Sequence, residues 1–242
     1  MRKYTDYATE YVRNLLNTLT DASTSNESYQ KTMYSLGRDL AEKIVATLKP
    51  CNPDAEICIA CTVEDADFLA KGLIDVIEEA KCFTAVRFAC FWNERVDPFD
   101  VKEAHIAPIL KKYREPFKST LQYLIVVKSV ISGGCVIKTN LTNLINESNP
   151  QKIMIVAPVI LEGADKNLEK EFSFSIASRF QFWFYAMDNS KRKDGNLDPG
   201  IGGSVYERLG FKNGQLEKNQ YVPALVKKRR SAFVGQYATQ TA

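Results

Sequence analysis

Histidine is almost missing from this 242-residue sequence, with one copy at position 105. A single imidazole cannot supply a zinc site of the usual His-rich kind. No Ser, Cys or Lys is marked by a local motif as a nucleophile for His105 to activate. The cysteines do not fill the gap. They stand at 51, 58, 61, 82, 90 and 135, and the one close pair, Cys58 and Cys61 in "CIAC", has no second pair at similar spacing. That pair lies inside "EICIAC", whose apolar and β-branched character reads as a strand. An odd spacing on a strand sends the two side chains to opposite faces. No zinc site is expected.

Long apolar runs are also lacking. None approaches the roughly 20 residues needed to cross a bilayer. The opening "MRKYTDYATEYVRNLL" has no uninterrupted apolar region of the kind a secretory signal carries. The expectation is a cytosolic protein with reduced thiols, mostly buried in strands, and no membrane partner. Excess charge is absent too: 32 Lys and Arg face 29 Asp and Glu, a net of +3. Such a balance gives no global field for nucleic acid or an anionic membrane, so any basic function is local. The clearest patch is "KKRR", comprising Lys227, Lys228, Arg229 and Arg230. A solvated C-terminal segment is the plainer reading of it, and a nucleic-acid backbone or protein-partner contact is the alternative.

What is present is alternation. The first 50 residues place apolar residues at spacings of three and four in "YATEYVRNLLNTL" and in "SYQKTMYSLGRDLAEKIVATL". This predicts two helices, the second starting near Ser28 and stopped by Pro50 and Pro53. Strand-like runs follow at 55–62, 83–92, 121–127, 152–161 and 179–187, separated by helical segments "EDADFLAKGLIDVIEEA", "VIKTNLTNLINES" and "GADKNLEKEF". The long connection 93–119 reads as a helix or an excursion over the sheet, and its "PILKKYREPFK" as a solvated helix face. The aromatic-rich "RFQFWFYAM" reads as a buried strand, with base stacking as the alternative. The last 55 residues, with "LDPGIGGSVYERLGF", are loop-built, and Ser204 is placed to cap a short helix.

The fold class implied is α/β: an open, mostly parallel sheet flanked by helices. An N-terminal helical segment (1–50) packs on an α/β core (51–190), and a C-terminal hood and basic tail (191–242) complete one compact domain.

In such a sheet, ligands bind at the carboxyl ends of strands. Three loops qualify there: "TVEDADF", "KSVISGGC" and the region of "DPGIGG". The middle one offers a concave set of amides suited to a monophosphate. The pattern "VVKSVISGGCVI" resembles the phosphoribosyl-pyrophosphate loop of type I phosphoribosyltransferases. In that family four apolar strand residues lead into two acidic residues, two apolar residues and a Thr/Gly-rich phosphate cradle.

The resemblance, which extends in element order over roughly residues 28–190, implies that Ser132, Gly133, Gly134 and Cys135 cradle a phosphate. Val130 and Ile131 match the two apolar residues that hold the loop to the sheet. Lys128 and Ser129 stand where the family's acidic pair holds the ribose hydroxyls, and Val136 where the closing Thr would fall. A Lys at that point repels an oxocarbenium-like transition state. The first loop departs as well: the family's pyrophosphate site is matched here by Glu64, Asp65 and Asp67, with no glycine. Those carboxylates read either as an acidic first helical turn or as ligands for Mg²⁺ bound with a phosphorylated ligand. In the third loop Gly202, Gly203, Tyr206 and Arg208 could close over the ligand as a hood, and Asp188 could face the same cleft.

The function implied is a phosphoribosyltransferase-like protein with a degenerate loop. It would bind a phosphorylated ribose or nucleotide-like ligand without the standard transfer and act as a regulatory or effector subunit with a protein partner or as a homo-oligomer. Similar domains accompany bacterial phage-defence modules, including retrons. An active atypical phosphoribosyltransferase, or a glycosyl-transfer enzyme on nucleotides, is the first alternative. A nucleic-acid-associated protein is the second.

Overall fold

The computed structural model describes residues 1–48, 55–94, 107–117 and 121–240, the last eight of these by backbone alone. His105, Cys51, Pro50 and Pro53 lie outside the described residues. In chain order the elements are β1 (Lys3–Tyr4), α1 (Glu10–Thr20), α2 (Asn26–Thr47), β2 (Glu56–Thr62), α3 (Lys71–Ala80), β3 (Ala85–Asn93), β4 (Ile109–Arg114), β5 (Tyr123–Val127) and β6 (Val130–Ile131). There follow α4 (Cys135–Ser148), β7 (Lys152–Val156), β8 (Val159–Leu161), α5 (Ala164–Lys170), α6 (Phe174–Ala177), β9 (Phe180–Trp183) and β10 (Ala186–Asp188). The C-terminal part holds β11 (Ser190–Lys191), β12 (Leu197–Asp198), α7 (Val205–Arg208), α8 (Gly214–Gln220) and α9 (Ala224–Gln240).

The main sheet has the order β4-β3-β2-β5-β7-β9 and is parallel apart from β4. Its strands are apolar throughout because both faces are covered. On β2, Ile57, Ile59 and Cys61 join the core beneath α1, α2 and α3, while Cys58 and Ala60 join the one beneath α4 and α5. The two cysteines of "CIAC" therefore point to opposite faces, and both are free and buried. Helix α2 starts at Asn26, ahead of Ser28, because the Ser25 hydroxyl accepts from the Ser28 N–H at 3.2 Å and caps the helix there. Helices α2 and α3 touch backbone to backbone: a Cβ on Gly37 would lie 2.1 Å from the Leu69 carbonyl oxygen, and one on Gly72 2.1 Å from that of Tyr34.

Two expectations need correction. "PILKKYREPFK" is not a helix: Ile109–Arg114 is the antiparallel edge strand β4, paired to β3. Its lysines suit an edge, where charge discourages further strand addition. The runs 152–161 and 179–187 are not single strands. Together with the run that begins at Tyr123, each crosses from the main sheet into a small one of order β1-β10-β8-β6 after a two-residue break. The breaks fall at Lys128–Ser129, Ala157–Pro158 and Phe184–Tyr185, and hydrogen bonds across them keep the three chains side by side. Continuous apolar sequence hides such breaks, since both halves of each run stay buried.

The aromatics of 179–187 pack inward. Phe180 meets Phe172 and Phe182 edge to face at 5.3 and 6.2 Å, and Tyr185 is buried. This corrects the base-stacking alternative. Among the described residues no helix is long and apolar enough to cross a membrane.

Candidate functional site

Strand order reverses between β2 and β5: β2 is followed by β3 on one side, and β5 by β7 on the other. The chain thus leaves the two carboxyl ends in opposite directions, which opens a crevice where α/β proteins bind ligands. Both departures from the family pattern meet in it. Thr62 ends β2, and Val63–Asp65 form a 3-10 turn followed by a π turn, Ala66–Ala70, before α3. Lys128 lies just past β5.

The Lys128 ammonium donates to Glu64 Oε1 at 2.7 Å, to Asp65 Oδ2 at 3.1 Å and to Thr62 Oγ1 at 3.1 Å. All three charged groups are buried. Burial alone would raise the Glu64 carboxyl, but Lys128 and Lys218 outweigh it and hold Glu64 at about 2. Burial, reinforced by Glu64, raises the Asp65 carboxyl above the usual range. Burial pulls Lys128 down, yet Asp65 and Glu64 more than compensate and raise it. Glu64 and Asp65 are thus neither a helix-dipole turn nor an open carboxylate cluster, because one lysine ammonium of the same chain is bonded to both. Asp67 is engaged elsewhere, accepting from the Ala224 and Leu225 N–H groups at 2.7 and 2.8 Å and so capping α9. Among the described residues no three His, Cys, Asp or Glu side chains converge as metal ligands.

Outside the crevice lies a cavity of about 380 Å³, within the range of roughly 300–1,000 Å³ common for small-ligand sites. One wall is the turn from Val130 through Ser132, Gly133, Gly134 and Cys135 into the first turn of α4. Lys128 also lines the cavity, as do Gly203, Ser204 and Tyr206 with Lys191, Asp194 and Asn196. Gly134, at the start of α4, has no side chain to cap it, and the positive end of the helix dipole lies at this turn. Val130 and Ile131 hold the turn down by pairing with Val159 and Ile160.

The remaining candidate residues are not in the cavity wall. Ser129 is buried, with Oγ unpaired. Asp188 does not face the cleft, because its carboxylate takes Arg2 Nε and Nη2 at 2.8 and 2.7 Å and the Gly200 N–H at 2.9 Å. Arg208 does not reach inward: it donates to the Asp21 carbonyl oxygen at 2.9 Å and lies over the Tyr29 ring. Gly202 lets the hood approach α1, since a Cβ there would sit 2.0 Å from the Leu19 carbonyl oxygen. Ser204 precedes α7 but makes no capping hydrogen bond.

In the basic segment, Arg229 is withdrawn into ion pairs with Glu78 and Glu115. Lys227, Lys228 and Arg230 stay exposed. Sequence reasoning missed Lys191, Asp194 and Asn196. The signal was the Asp194-Gly195 pair, which turns the β11–β12 hairpin toward the cavity with Gly195 at φ +82°. It missed Lys218 as well, a buried lysine that donates to the Asn93 carbonyl oxygen and lies 5.3 Å from the Tyr206 ring centre.

No protein-family model matches the sequence, and no curated protein does. Solved structures do. The AQ2163 protein from Aquifex aeolicus superposes with a TM-score of 0.63 at 17% identity, covering 84% of this chain and 95% of that one. At that identity the likeness is one of fold. Looser matches include a hypoxanthine phosphoribosyltransferase from Staphylococcus aureus, with a TM-score of 0.42, 10% identity, and 72% of this chain and 80% of that one covered. A hypothetical protein from Neisseria gonorrhoeae with bound ppGpp gives 0.38 at 14%, over 63% and 82%. The open, mostly parallel sheet with helices on both faces is the α/β architecture that the sequence implies.

Proposed function

We propose that the chain binds a phosphorylated ribose or nucleotide-like ligand in the cavity beneath the hood, without the transfer of phosphoribose, and serves as a regulatory or effector subunit. The observation that carries this reading is the juxtaposition of the α4 amino terminus with a cavity lined in part by Lys128, whose ammonium is paired with Glu64 and Asp65. The first feature attracts a phosphate. The second replaces the carboxylates that would stabilise positive charge developing on the sugar. A place in a larger assembly, a phage-defence module included, belongs to the same reading and is the role such a sensor would fill.

The test is titration calorimetry with ribose 5-phosphate on wild type and on Ser132→Asp. Ser132 is half-buried at the cradle, so the substitution sets a negative charge beside the bound phosphate. Binding to wild type and its loss in the variant are expected. Equal binding by both overturns the site, and release of pyrophosphate when phosphoribosyl pyrophosphate is supplied with free bases overturns the absence of transfer.

A further inference from the structure

The chain carries a net charge of only +3, yet one edge of the main sheet holds a local excess of cations. Strand β4 ends the sheet beside β3 and brings Lys111, Lys112 and Arg114 to the surface. Lys112 and Arg114 turn toward α4, where the single carboxylate of Glu147 serves both. Lys111 turns the other way and donates to the Asn219 carbonyl oxygen at 3.3 Å, near the end of α8. It makes no ion pair among the described residues.

Helix α9 adds to the same edge. Arg229 reaches Glu115, the residue after β4, at 3.1 Å. Burial and Glu115 raise the Tyr113 phenol on β4, and Arg229 and Arg230 act against that rise, so Arg230 also stands beside the strand. Lys227, Lys228 and Arg230 are exposed, and none of them makes an ion pair among the described residues. The carboxylates at hand are already taken: Glu78 and Glu115 are spent on Arg229, and Glu147 is shared.

Lysines on β4 alone would follow from the need to discourage strand addition at an edge. Lys227 and Arg230 lie on a helix, where that need does not arise. The edge also lacks the build of a protein-binding site. Protein interfaces centre on buried aromatic or aliphatic anchors and are depleted of lysine, whereas β4 exposes one large apolar side chain, Leu110. A phosphate backbone needs no such anchor, since it is held by long cations spread along a surface and by the counterions they release.

We propose that the edge formed by β4 and the first half of α9 binds the sugar–phosphate backbone of a nucleic acid through Lys111, Lys112, Arg114, Lys227 and Arg230. Contacts of this kind position a nucleic acid without reading its sequence. None of the five residues lines the cavity beneath the hood, so the proposal is independent of what binds there.

Fluorescence anisotropy on the full chain, with a labelled mixed-sequence oligonucleotide as a single strand and as a duplex, tests this across about 50 to 200 mM potassium chloride. With about four phosphates neutralised, log affinity is expected to fall with log salt at a slope of about −3. The triple variant Lys111→Gln, Lys227→Gln, Arg230→Gln leaves every ion pair of the edge in place. It is expected to bind at least about 10-fold more weakly, with a slope shallower by about 2. The variant Lys152→Gln, Lys166→Gln, Lys170→Gln removes the same charge from exposed lysines on β7 and α5, and wild-type binding is expected of it. No binding of either oligonucleotide at about 50 mM salt overturns the proposal. So does an equal loss in both triple variants, which would make the attraction one of net charge. Polyglutamate bound as tightly as the oligonucleotide overturns the choice of nucleic acid and gives the edge to an acidic protein segment.

Discussion

Two loops leave the sheet side by side and handle charge in opposite ways. The one after β2 turns its acids inward: Glu64 and Asp65 are buried on Lys128, and Asp67 is spent on capping α9. The one after β5 keeps Ser132, Gly133, Gly134 and Cys135 along an open cavity. The lysine that begins the second loop is consumed by the first, so one loop is held by its own ions while its neighbour lines a cavity. Damage to the inward loop should therefore appear in stability, and damage to the outward one in ligand affinity.

The largest effect is expected from Lys128→Met. It removes the cation from two buried carboxylates, and breaking a buried pair in this way costs about 3–5 kcal/mol. Ser132→Ala, a few residues on in the open turn, should stay within about 0.5 kcal/mol of wild type. Urea unfolding of the two variants checks the contrast. A Lys128→Met protein as stable as Ser132→Ala would mean that the ion cluster contributes nothing to the fold.

This pairing was not legible in the sequence, although both halves of it were. The strand before Lys128 and the Ser-Gly-Gly turn after it are local patterns, and they fall where local reasoning puts them. Lys128 and Glu64 are 64 residues apart, so each appears alone as a departure from the phosphoribosyltransferase pattern, one loop having lost its acids and the other its glycines. Only the sheet order, which brings β2 against β5, turns two anomalies into one charge exchange. The same reason hid Arg229, which sits in a basic run yet finds Glu78 and Glu115 on distant elements. It also hid β4, whose strand character comes from pairing with β3 and not from its own alternation.

The pH dependence of stability is a second way to sharpen the contrast. Glu64 is held at about 2 in the folded chain against an ordinary 4.5. A carboxyl depressed by folding contributes stability that is present above its unfolded value and lost as pH falls through the folded one. The window is therefore from about pH 4.5 down to about 2. Asp65, raised on folding, acts with the opposite sign and offsets part of this loss. Glu64→Gln should flatten that acid limb, whereas Ser132→Ala should leave its slope unchanged. Denaturant midpoints measured across the window decide between them, and identical slopes in all three proteins would deny Glu64 its role.

The smallest effect is expected at Gly133, where the outward loop can be altered with no structural cost. A Cβ built there meets nothing within 4 Å, and Gly133 is not among the residues at positive φ. An alanine can therefore adopt the native backbone without strain, and replacing glycine at such a position gains about 0.4–1 kcal/mol by narrowing the unfolded ensemble. The same methyl group would project at the cavity wall. Gly133→Ala is accordingly expected to unfold at a slightly higher denaturant concentration than wild type while binding ribose 5-phosphate more weakly. A variant that gains stability and binds unchanged would move the phosphate away from this turn. One that loses stability would show that the turn, like its neighbour, is held by contacts of its own.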